Sequence, residues 1–118
     1  MTAFKHVTPD ILSEKLPNMA ELGPNAYLDD FVVTDDADKP MTAGLFRLEA
    51  GDAVTYEYTY HEMKLIVDGE FDITDTTGQS VHATRGDLLY FPRGSVITFS
   101  TRTHGVGYFC GQRGEGEA

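Results

Sequence analysis

Residues 51–69 read Gly51-Asp-Ala-Val-Thr-Tyr-Glu-Tyr-Thr-Tyr-His-Glu-Met-Lys-Leu-Ile-Val-Asp-Gly69. Glycines punctuate both ends, and the interior is rich in Val, Ile, Thr and Tyr, the residues that suit strands. Tyr56, Tyr58, Tyr60, Glu62 and Lys64 alternate. A strand running through them sets all five side chains on one face. Where that face is the inside of a β-barrel, it is a site: three phenols, a carboxyl and an amine gathered in one place.

Outward from this stretch the chain keeps the same character. Short β-rich runs alternate with turn residues, the pattern of an all-β domain. Expected strands are Ala26–Val33, Thr42–Glu49, Thr55–Tyr60, Met63–Asp68, Glu70–Asp75, Ser80–Thr84, Leu88–Phe91, Val96–Ser100 and Val106–Cys110. Eight or nine strands in one domain suggest a sandwich or a closed jelly-roll barrel, which removes edge strands by closure. The one helix signal is residues 7–16. There Thr8 serves as N-cap, Pro9 as first helical residue, and Ile11, Leu12 and Leu16 as an apolar stripe, with Pro17 as the stop. The expected organisation is residues 1–19 as an N-terminal segment with this short helix, 20–111 as the barrel, and 112–118 as a flexible Gly/Glu-rich tail.

At 118 residues the chain can bury a core without staples. A net charge of -10 argues against nucleic acid and anionic membranes as partners, since both need basic patches. Cys110 is the single cysteine, so an intrachain disulfide and a cysteine-based zinc site are both excluded. No stretch has the length of a transmembrane helix and no secretory signal is seen. These features point to the cytoplasm.

Glu62 is the leading catalytic candidate. A carboxylate directed into an apolar barrel is costly to ionise, which suits a general acid or base. The alternative is a neutralised carboxyl held by tyrosine hydroxyls. Tyr58 and Tyr60 are candidate partners in catalysis and Tyr56 a ligand contact, because phenols donate hydrogen bonds and wall pockets. Against that, tyrosines also simply fill barrels. Lys64 could pair with Glu62 or act as an amine nucleophile, unless a bulge turns it to solvent. Ile97, Phe99, Tyr108 and, from a turn at the barrel mouth, His104 complete the expected ligand-binding set. His61 and Glu57 have outward parity. No Gly-x-x-x-x-Gly-Lys-Ser/Thr loop for phosphates is present.

Two turn patterns carry a family resemblance. Gly86, five residues, then Pro92-Arg93-Gly94 resembles the second cupin motif. Glu62, six residues, then Gly69 resembles the end of the first. Within cupins, Met41-Thr-Ala-Gly44, Tyr60-His-Glu62, Val67-Asp-Gly-Glu70 and Pro92–Thr101 resemble the ethanolamine-utilisation, EutQ-type group. The resemblance implies a single-domain cupin jelly roll that forms a homodimer, and a role linked to ethanolamine metabolism and microcompartments. Metal-binding cupins place two histidines where this chain has Tyr56 and Tyr58, and a third where it has Ile97. Of the motif ligands only Glu62 is present, so no metal site and no cofactor are expected beyond a weak divalent cation at Glu62.

Three functional classes follow. The first is a small-molecule enzyme (isomerase, cyclase or lyase) acting on an oxygenated metabolite without metal. The second is a non-catalytic binding or assembly module. The third is a metalloenzyme with unorthodox ligands such as Glu62, Tyr56 and His104.

Overall fold

The computed structural model describes residues 2–12 and 15–118. Eight strands form: β1 (Ala26–Val33), β2 (Thr42–Glu49), β3 (Val54–Glu57), β4 (Glu62–Asp75), β5 (Ser80–Thr84), β6 (Leu88–Phe91), β7 (Val96–Ser100) and β8 (His104–Gly111). They make one curled sheet in the order β1-β2-β8-β4-β7-β3, with β5 and β6 also paired to β4. All pairings are antiparallel. The all-β single domain expected from the turn spacing is what forms.

β4 is the spine. Its first half pairs with β8 and β6, its second half with β5 and β7. The sequence reading divides this run at Gly69. The structure keeps it as one strand that bends there instead. Gly69 adopts φ 66°, and a side chain at this position would sit 2.1 Å from the His104 carbonyl oxygen. Only glycine combines that backbone with that approach.

Sheet twist brings the two ends of the order toward each other, and the gap is spanned by residues 18–25. Asn25 donates from Nδ2 to the carbonyls of Glu49 and Asp52, both at 3.0 Å. Asn18 bridges to Tyr27 and donates to the Ala26 carbonyl at 2.7 Å. Met19 and Leu22 face the interior. The core beneath them is aromatic: Phe46, Phe71, Phe91 and Phe99 lie with ring centroids 5.6–6.0 Å apart. Edge-to-face and offset contacts of this kind add to their area burial.

Two expectations change. Among the described residues there is no helix at 7–16; Ser13 and Glu14, part of that reading, lie outside them. Pro17 and Asn18 are drawn into pairing with β1, where the Leu28 N–H donates to the Pro17 carbonyl at 2.9 Å. That extends the chain where a last helical turn would close. Of the proposed stripe Ile11 and Leu12 are exposed and Leu16 is partly buried, and so short a helix cannot stand alone. Secondly, the two strands expected at Thr55–Tyr60 and Met63–Asp68 form with other bounds, Val54–Glu57 and Glu62–Asp75. β3 ends at Glu57 and the chain bends at 58–61 before β4 begins. Among the described residues no helix is long and apolar enough to cross a membrane.

Candidate active site

The bend at 58–61 preserves the convergence that continuous alternation promises. Tyr58 is anchored to the β6–β7 turn: its N–H donates to the Ser95 carbonyl and its own carbonyl accepts from the Gly94 N–H. From there the chain crosses to β4, where Glu62 and Lys64 point inward. Tyr56, Tyr58, Tyr60, Glu62 and Lys64 line one interior space, together with Phe46, Phe99 and Phe109. Met19, Leu22, Leu28 and Ala118 complete its lining. The free volume is about 20 Å³, room for a single water.

The polar atoms are connected. The Tyr58 hydroxyl donates to Glu62 Oε2 at 2.5 Å. Lys64 Nζ lies 3.5 Å from the same oxygen. The Tyr56 and Tyr60 hydroxyls are 2.9 Å apart. Lys64 is 3% exposed and Glu62 4%, so this ion pair is removed from water. Lys64 Nζ also sits 4.6 Å from the centroids of both Phe46 and Phe99. The outward-turning bulge considered for Lys64 does not occur here. The irregularity in the β4–β8 ladder falls between Ile66 and Asp68, beyond the lysine.

Burial governs the titration of the cluster. It lowers the pKa of Lys64, partly opposed by the Glu62 charge and hydrogen bond, which raise it. Burial, then the Glu62 charge, pushes the Tyr58 phenol well above its usual value. Tyr60 and Tyr56 are raised by burial in the same way. All three phenols therefore stay protonated as donors, and the lysine is the group whose charge is least secure.

β8 makes the room. Its inward positions include Gly105, Gly107 and Gly111. A methyl group at these three sites would come within 2.6 Å of the Phe71 ring, 2.9 Å of Lys64 Cδ and 3.0 Å of the Tyr60 ring. The lysine stem lies across the bare backbone of Gly107, which any side chain there would push aside.

Arg113 belongs to the surroundings of this site although sequence reading passed over it. It is 3% exposed, and its guanidinium forks onto Asp30 with Nη1–Oδ2 at 2.9 Å and Nη2–Oδ1 at 2.8 Å. Its guanidinium carbon stands 5.5 Å from the Tyr60 ring centroid. Burial opposes the Arg113 charge, but the Asp30 hydrogen bonds and charge outweigh it and raise its pKa. The segment 112–118, read as a flexible tail, thus lies against the barrel, with Gly116 N–H donating to Asp30 Oδ2 at 2.7 Å. The signal was weak, a lone arginine among glycines 83 residues from its partner.

The other sequence candidates lie elsewhere. Phe99 lines the space; Ile97 is buried in the core but faces a different groove with Ile73 and Val81. Tyr108 is on the outer face and half exposed. His104 Nε2 is engaged with Asp68 Oδ2 at 2.8 Å outside the cluster. His61 points outward, its Nδ1 2.9 Å from the Tyr90 hydroxyl.

The donor set around Glu62 does not suit a resident divalent metal. One carboxylate, with an ammonium 3.5 Å away and protonated phenols beside it, offers a cation repulsion and too few ligands. Among the described residues, the His/Cys/Asp/Glu group with ligand atoms close together is Glu70, Asp72 and His82, on the outside of the β4–β5 hairpin.

A curled jelly-roll sheet with its polar residues gathered inside at the first-motif strand defines a cupin. Within that class the chain belongs to the family described as ethanolamine utilisation protein EutQ, whose pattern matches residues 10–109. Solved structures agree on the fold. A putative ethanolamine utilization protein of Salmonella typhimurium is 24% identical over 76% of this chain and 71% of its own, with a TM-score of 0.65. The EutQ protein of Clostridium difficile is 23% identical over 74% of this chain, with a TM-score of 0.63; the match spans 61% of that protein's length. A Cupin 2 barrel protein of Salinispora arenicola covers 95% of this chain and 91% of its own at 15% identity and a TM-score of 0.67. No curated protein matches the chain in sequence.

Proposed function

We propose that the chain is a small-molecule enzyme of isomerase, cyclase or lyase type, working by acid–base chemistry inside the barrel. The observation that carries this reading is the buried Glu62–Lys64 pair with Tyr58 bonded to it. An apolar filling of the same volume would stabilise a barrel at least as well as a desolvated ion pair. Perturbed titratable groups collected in a largely buried pocket are characteristic of catalytic sites. Glu62 takes a proton from the carbon next to a carbonyl. The Lys64 ammonium and the Tyr58 hydroxyl face the oxygen that gains charge, and Tyr56 and Tyr60 hold the ligand's other oxygens. The space has room for one water, so a ligand needs lining side chains such as Met19, Leu22 and Leu28 to move aside. The reading includes a cytoplasmic setting and a homodimer. Met63, Leu88, Tyr90 and Tyr108, exposed on the outer face, favour the dimer.

The test is deuterium exchange. A panel of two- to four-carbon hydroxyaldehydes and hydroxyketones is incubated with the protein in D2O and followed by proton NMR. At least one compound should exchange beside its carbonyl, and Glu62→Gln should slow this by about 10²-fold or more, the usual worth of a positioned base. Exchange that is unchanged in Glu62→Gln would refute the assignment.

A second reading is favoured by one observation, the near-complete filling of the interior. It is a non-catalytic binding or assembly module of the ethanolamine-utilisation type. Absence of exchange across the whole panel, with wild-type protein, would support it.

A further inference from the structure

Lys64 has surroundings that the acid–base reading does not use. Its stem is laid in a groove that exists because residue 107 is glycine. Its amine is presented to an aromatic box, with Phe46 and Phe99 centroids at 4.6 Å and Phe91 at 5.6 Å. A single carboxylate, Glu62, stands within proton-transfer reach through one small shift or one water. Lysines placed in apolar pockets beside an acid–base group are the ones that act as nucleophiles toward carbonyls.

We propose that Lys64 is an imine-forming lysine, and that the site takes a small neutral aldehyde or ketone bearing a hydroxyl group. The inference rests on reading the cluster as an enzyme site and names its ligand class. Glu62 accepts a proton from the Lys64 ammonium, freeing the nitrogen lone pair. The nitrogen attacks the carbonyl carbon, the C–N bond forms as the C=O π bond breaks, and the oxygen takes a proton from the now cationic nitrogen to give a neutral carbinolamine. Glu62 returns its proton to the departing hydroxyl, the C–O bond breaks, and one water leaves. The sum is ammonium plus carbonyl giving protonated imine plus water, with no oxidant or reductant. Burial, which lowers the lysine's pKa, makes the first proton transfer easier.

Neutrality of the ligand follows from the charges. Lys64 is matched by Glu62 and Arg113 by Asp30, so a ligand carboxylate would add a negative charge beside Glu62 without a cation of its own. The hydroxyl follows from the Tyr56–Tyr60 pair, whose hydroxyls face each other at 2.9 Å and can each take a further partner.

The experiment is reductive trapping on the wild-type protein, so it does not depend on a variant folding. Glycolaldehyde and sodium cyanoborohydride are added near neutral pH and the modified lysines are mapped by peptide mass spectrometry. Lys5 and Lys39, both exposed, serve as internal references. The expected result is a hydroxyethyl adduct at Lys64 formed at least about tenfold faster than at either reference, as suits a lysine desolvated beside an acid–base group. Glu62→Gln should slow the Lys64 adduct and leave Lys5 and Lys39 unchanged. Adducts at the references with Lys64 unmodified would overturn the proposal. If Glu62-dependent deuterium exchange is nevertheless observed, the imine falls while the acid–base reading stands. If neither trapping nor exchange occurs, both fall.

Discussion

The two halves of β4 offer opposite interiors on one strand. In the second half the inward residues are Phe71 and Ile73, packed with Phe46, Phe99 and Ala83. In the first half they are Glu62 and Lys64, roofed by tyrosines, with the apolar Ile66 next in line toward the bend. Both halves bury these side chains and share the same strand geometry, with β8 or β7 as neighbours. The apolar half lowers the free energy of the fold by removing hydrocarbon from water. The polar half surrenders hydration of two charges and recovers it through one ion pair and one hydrogen bond. One end of the barrel therefore holds the molecule together while the other is free to carry chemistry.

That contrast can be broken experimentally. The largest effect is expected at Phe71, which is fully buried. Phe71→Ala should lower stability by about 3–5 kcal/mol in urea unfolding, from lost burial plus a cavity. In the polar half, Lys64→Met should cost about 3 kcal/mol, because Glu62 is left buried without its counter-charge. Combining it with Glu62→Leu should restore stability to within about 1 kcal/mol of wild type. A double variant as unstable as the single one would mean that the pair is structural, and the contrast between the halves would fail.

Alkaline pH sharpens the same point. Tyr56, Tyr58 and Tyr60 have pKa values raised by burial above the ordinary 10.0. Their contribution is fully present below pH 10 and is lost as pH rises further, since the unfolded chain then releases protons that the fold retains. Lys64 works oppositely: with its folded pKa below 10.5, it adds stability as pH climbs toward that value, and no more beyond it. Stability should therefore fall above about pH 10.5, by up to about 1.4 kcal/mol per pH unit for each proton. Tyr58→Phe should shallow the fall; an unchanged slope would contradict the buried network. The smallest effect belongs to the exterior. His82 and Asp72 meet at 2.7 Å with both side chains about half exposed, and His82→Ala should change stability by less than about 1 kcal/mol.

Much of this was legible in the chain because β structure announces itself through turns. Gly78, Gly86 and Gly94 all adopt positive φ at loops between the expected strands, so the limits of β5, β6 and β7 could be read directly. The convergence of Tyr56, Tyr58, Tyr60, Glu62 and Lys64 was readable from alternation, although the reason is subtler than a straight strand. The bend at 58–61 turns Tyr58 and Tyr60 to the interior and leaves Thr59 and His61 exposed, keeping parity while changing neighbours. What failed were features settled at long range. The helix signal at 7–16 was local, and pairing of residues 17–18 with β1 overrode it. The Arg113–Asp30 fork joins residues from opposite ends of the chain, and no spacing rule connects them.

The glycines of β8 carry a further consequence. On its inward side this strand contributes hollows, into which Phe71, Lys64 and Tyr60 fit. Glycine has more backbone freedom to lose on ordering than any other residue. β8 is therefore the strand with the greatest entropic reluctance to form and little side-chain adhesion at those points to offset it. Its order is borrowed from the ladders to β2 and β4 on either side. Loosening either neighbour would therefore loosen the floor beneath the lysine as well.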